Sequence, residues 1–147
     1  MNPDELKIGS GVEAGVFEMG HYDSRFDSLK SSNFDPRALW ERVDGDAELL
    51  RELVELFLNE CPGLLRNIAA AIEQQSFDDV RHLSHKLKGS ALQLSGSGVA
   101  ALAGSLEQMG EKKSLQGADR VFSDLQQKAA ALAQSLQSLA GRKGSTE

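Results

Sequence analysis

A chain of 147 residues with 40% apolar side chains is long enough for one domain with a proper core and for little else. Its formal net charge of −6 offers no basic stripe to neutralise phosphates, which excludes a nucleic-acid partner. Its one cysteine, Cys61, excludes a disulfide framework or a thiolate zinc site within the chain. No run of about 18 apolar residues occurs, so nothing is expected to span a membrane. The N-terminus lacks the basic-then-apolar order of a signal peptide, so the cytoplasm is the expected compartment. Leucine and alanine dominate over one Trp, one Tyr and six Phe, a balance that favours packed helices over a β-sandwich.

Residues 1–33 are rich in Gly and Ser and lack sustained periodicity. They read as a flexible extension, with Val16, Phe17 and Met19 as a short docking piece. The domain proper is expected over residues 34–140, and residues 141–147 read as a frayed tail. Asp35 caps a first short helix, with Pro36 at its first position and Leu39, Trp40 and Val43 as its apolar side. Asp44, Gly45 and Asp46 break it. A long second helix runs from Asp46 to Gln75. Its apolar residues Leu49, Leu50, Leu53, Val54, Phe57, Cys61, Leu64, Ile68 and Ile72 recur at helical spacing. Pro62 lies inside it and is expected to kink or split it. A third helix runs from Phe77 to Leu94 with Ser76 as its cap, and the run from Ser95 to Gly98 ends it. A fourth carries Val99, Leu102, Leu106 and Met109, with the connection beginning at Gly110. A fifth carries Phe122, Leu125, Ala129, Leu132, Leu136 and Leu139 at spacings of three and four. Short connections between long helices imply antiparallel neighbours. The expected fold is all-α, an antiparallel up-down four-helix bundle with a short additional N-terminal helix.

The third helix raises a functional question. Val80, Leu83, Leu87, Ala91 and Leu94 cluster on one side as the core stripe. His85 falls roughly 160° from the centre of that stripe, as a 100° step per residue requires. Gly89 points the same way one turn on, Leu92 and Gly96 continue the line, and Lys88 flanks it. A glycine inside a helix costs about 1 kcal/mol relative to alanine. Core packing does not ask for one on an outward face. Its missing side chain instead clears room beside the imidazole for a partner's backbone, and Leu92 adds apolar docking area.

The segment His85-Lys86-Leu87-Lys88-Gly89 resembles the His-x-Leu-Lys-Gly signature of histidine-containing phosphotransfer (HPt) domains. Residues 34–65 resemble that family's opening helices, including Phe57 and Pro62, and residues 102–110 resemble its fourth helix. The resemblance covers residues 34 to about 140. It implies a phosphoryl relay in which His85 accepts a phosphoryl group from a receiver-domain aspartate and passes it to another receiver. A neutral imidazole nitrogen is the nucleophile. Lys88, Lys86 and Gln93 would support the phosphoryl group, and His82, Gly89 and Leu92 would form the docking surface. The implied partners are receiver domains of a hybrid sensor kinase or of response regulators, with this chain a monomer. No cofactor is implied for the bundle itself, since magnesium belongs to the receiver's acidic pocket. Two positions depart from the family pattern. Ser95 stands where a glycine is usual, and Leu92 where a small residue is usual.

Other readings compete. A kinase needs a nucleotide-binding domain with glycine-rich phosphate loops, for which a chain already spent on a bundle leaves no room, so a carrier without autonomous kinase activity is expected. A helical adaptor with an idle His85 is a second alternative. Asp78, His82 and His85 could ligate a metal, but no fourth ligand is evident and none is expected.

Overall fold

The computed structural model describes residues 22–141. Five α-helices follow a short 3-10 turn at Ser24–Leu29: α1 Pro36–Arg42, α2 Ala47–Glu73, α3 Phe77–Gln93, α4 Ser97–Glu111 and α5 Ala118–Ala140. Among α2 to α5, each packs on the next, α3 and α4 most intimately, and α5 closes back onto α2. This is the expected up-down four-helix bundle with a short leading helix.

Local chemistry sets the helix ends. The Asp35 carboxylate accepts a hydrogen bond from the Ala38 amide at 3.1 Å, and that of Asp46 accepts from Leu49 at 3.0 Å, each satisfying an amide the helix leaves without a partner. Asp44 and Gly45 make the break between α1 and α2 with φ of 56° and 70°. The core is filled by residues spaced three and four apart, such as Leu50, Val54, Phe57, Cys61, Leu64 and Ile68 on α2. On α5 it is Leu125, Ala129, Leu132, Leu136 and Leu139. The leucine seam of α5 is thus core. Cys61 is buried, and burial pushes its thiol up to about 11, so it fills space rather than reacting.

Three expectations change. Helix α2 is not split: it runs unbroken through Pro62. Pro62 is exposed, so water can reach the backbone group the ring leaves unpaired. Gly110 does not begin a connection. It lies inside α4 and is buried, where a Cβ would sit 2.7 Å from the Phe77 carbonyl oxygen and 2.8 Å from the Arg81 nitrogen. Gly96 does not continue the outward line of His85. It is buried at the start of α4, and a Cβ there would meet the Leu132 side chain at 2.6 Å.

The expected boundary at residue 33 also falls inside the structure. Residues 22–33 pack on the bundle: Phe26 and Asn33 are buried. The Asn33 amide donates to the Lys128 carbonyl at 3.0 Å, and the Ser97 hydroxyl donates to the Ser32 carbonyl at 2.8 Å. Arg37 pairs with Asp27 at 2.9 Å and stacks on the Tyr22 ring, whose hydroxyl donates to the same Asp27. Too few apolar residues in this segment made the contact invisible to periodicity. Val16, Phe17 and Met19 lie outside the described residues, as do residues 142–147.

Candidate functional site

Core residues Val80, Leu87 and Ala91 anchor the inner side of α3, and the 100° step then turns His85 outward. Its side chain is 68% exposed. Nδ1 lies 2.9 Å from Oε2 of Glu107, which reaches over from α4. The other oxygen of that carboxylate, Oε1, pairs with the Lys88 ammonium at 2.8 Å. Lys88 and Glu107 are partly buried, at 33% and 21% exposure. One carboxylate therefore joins the two residues singled out on α3.

The electrostatics follow from that geometry. The Lys88 ammonium holds the Glu107 carboxyl below the usual glutamate range, with the His85 imidazole adding to it and partial desolvation opposing. A depressed carboxyl contributes stability that is complete above its unfolded value and is lost as pH falls through the folded one. The trio is thus intact at neutral pH. Because an ionised carboxylate only accepts, a neutral His85 facing it must carry its proton on Nδ1. Nε2 then presents a lone pair to the outside. This is the arrangement a nitrogen nucleophile needs.

The remaining expected residues divide. At Gly89 a Cβ would meet nothing within 4 Å, so the surface beside the imidazole is open, and Leu92 one turn on is 48% exposed. Lys86 is exposed on the flank. His82 is exposed, and its Nδ1 sits 2.9 Å from the Asp78 carbonyl oxygen of its own helix. Gln93 does not join the cluster. It is exposed at the last residue of α3, about 12 Å along the axis from His85 at 1.5 Å per residue. Asp78, His82 and His85 do not converge, and among the described residues no three metal-ligating side chains do.

Glu107 was missed by sequence reasoning. It follows the core residue Leu106 and shows no charge pattern of its own. The available signal was register: a turn centred on Gly96, just after Ser95, folds α4 back on α3 and sets Glu107 opposite His85 and Gly104 opposite Lys88. Ser95 adopts φ 58°, the left-handed region where glycine is unstrained.

Comparison with known proteins points one way. The family model described as Hpt domain matches residues 52–144. The chain is 26% identical over 127 residues to histidine-containing phosphotransfer protein 2 of Arabidopsis thaliana, spanning 84% of this chain and 76% of that protein. In fold it is similar to the crystal structure of histidine-containing phosphotransfer protein B (HptB) from Pseudomonas aeruginosa PAO1. That match has a TM-score of 0.69 at 19% identity and covers 74% of this chain and 94% of that one. Among the described residues no helix is long and apolar enough to cross a membrane.

Proposed function

The chain belongs to the Hpt domain family and has a phosphotransfer role in a phosphorelay; from that premise we propose that His85 is the residue that carries the phosphoryl group. The observation that supports it is the contact between Nδ1 and Glu107 on a ring that is otherwise open to solvent. The donor is the aspartyl phosphate of a receiver domain. The Nε2 lone pair attacks phosphorus, the bond from phosphorus to the aspartate oxygen breaks, and the carboxylate leaves with the electron pair. No proton has to move, because Nε2 carries none. The positive charge that develops on the ring is met by the Glu107 carboxylate at Nδ1. Onward transfer is the same step reversed, with a second receiver's aspartate as nucleophile.

Lys88, already beside the ring through the shared carboxylate, supplies positive charge to the phosphoryl oxygens, and Lys86 adds to it from the rim. Gly89 and Leu92 form the floor on which the receiver seats, with His82 at its edge. The divalent cation belongs to the receiver's acidic pocket, and the bundle needs no ligand set of its own. The chain acts as a carrier, with its phosphoryl group drawn from the receiver rather than from a nucleotide. Incubation with a phosphorylated receiver tests this. The expected product is an acid-labile, base-stable phosphate on His85, and a His85→Gln variant that folds normally and takes up none. Phosphate still accepted by His85→Gln would overturn the assignment.

A further inference from the structure

Three glycines at or in α4 are explained by crowding. A Cβ at Gly96 or Gly98 would collide with Leu132 or Asn33, and one at Gly110 with the backbone of α3. Gly104 is different. It lies within α4, half-buried. The contact its Cβ would make is with Cδ of Lys88, at 3.4 Å. The lysine stem thus crosses α4 over the place where a side chain at 104 would stand, and its ammonium lands on Glu107 one turn further on. No close approach of backbone accounts for the small residue here, since the atom facing it belongs to the lysine.

We propose that Gly104 is a positioning residue for phosphoryl transfer: the want of any side-chain atom beyond the Cβ position leaves Lys88 its path to Glu107 and so fixes the tautomer of His85. This rests on the reading of His85 as the phosphoryl carrier. The two oxygens of Glu107 have different partners, Lys88 on Oε1 and His85 on Oε2. If the ammonium is pushed off, Oε1 is left without its ion-pair partner in a partly buried place, which is costly for a charged group. The carboxylate then turns toward water and takes Oε2 away from Nδ1. A neutral imidazole released into water favours the proton on Nε2, the nitrogen that must attack. Bulk at 104 therefore disables His85 without touching it.

The test uses the full chain, nitrogen NMR of the imidazole ring and phosphoryl uptake from phosphoramidate, a small donor that needs no docking. Valine at 104 is branched at Cβ and cannot turn wholly away from the lysine, and it is no poorer a helix former than glycine. Gly104→Val is expected to fold, to lose the uniform Nδ1–H form, and to take up phosphate about tenfold more slowly, as a misplaced reacting group should. Unbranched Gly104→Gln covers the case in which valine disturbs α4. Gly104→Ala, whose Cβ fits at contact distance, should keep the tautomer and the rate. In a Lys88→Ala background the valine should add nothing, because its effect passes through the lysine. A wild-type tautomer and rate in folded Gly104→Val and Gly104→Gln, or an undiminished valine effect without Lys88, would overturn the proposal. Failure of the wild-type protein to carry phosphate on His85 would instead sink the underlying assignment and leave the tautomer result standing.

Discussion

At Gly110 the backbones of α3 and α4 touch, and a single added carbon would lie 2.7 Å from a carbonyl oxygen. At Gly89, on the partner helix and beside His85, the same carbon would meet nothing within 4 Å. Both glycines sit inside helices and carry the same cost in helix propensity. At the first, that cost is offset by a close backbone-to-backbone approach of α3 and α4. At the second, the fold gains nothing, and the gain must come from outside the molecule. A helical glycine is thus evidence of function only where neither a neighbouring backbone nor a core side chain crowds it.

Substitution can break this contrast. The largest effect on stability is expected at the closed end. Gly110→Ala forces the helices apart and should lower the free energy of unfolding by about 2 kcal/mol, in the range of overpacked cores, as read by denaturant titration. An unchanged midpoint would mean that the α3–α4 contact is slack. At the open end the effects reverse. Gly89→Gln should hold or raise stability, by at most about 1 kcal/mol from helix propensity. It should nonetheless slow transfer from a phosphorylated receiver while leaving uptake from phosphoramidate intact. Normal receiver kinetics would remove the reason offered for Gly89. The smallest effect belongs to the turn that joins the two helices. Ser95→Gly relieves a left-handed residue and should stabilise the protein by about 1 kcal/mol or less, with transfer unaltered.

Much of the fold was legible because helical order is local. The caps at Asp35 and Asp46, the apolar spacing of α2 and α5 and the outward direction of His85 all depend on neighbours within a turn or two of the same chain. The misreadings share a cause. Pro62 and Gly110 are read by intrinsic propensity, and Gly96 by carrying the helical step of α3 past its end, whereas their surroundings decide what they do: solvent at Pro62, a facing backbone at Gly110, a leucine from α5 at Gly96. Phe26 and Asn33 were assigned to a loose extension because two anchors in a polar segment produce no period, although both are buried against the bundle.

The candidate site divides along the same line. His85, Lys88, Gly89 and Leu92 lie on one helix, so their common face followed from the 100° step alone. Glu107 and Gly104 come from another helix, and only the packing of α4 on α3 could bring them opposite His85 and Lys88. The amino-acid order by itself determined that an imidazole would stand on an outer face with cleared ground beside it. The tertiary structure decided which nitrogen of that imidazole is free, because the carboxylate holding the other one arrives across a helix–helix contact whose register is set by side chains packed throughout the bundle.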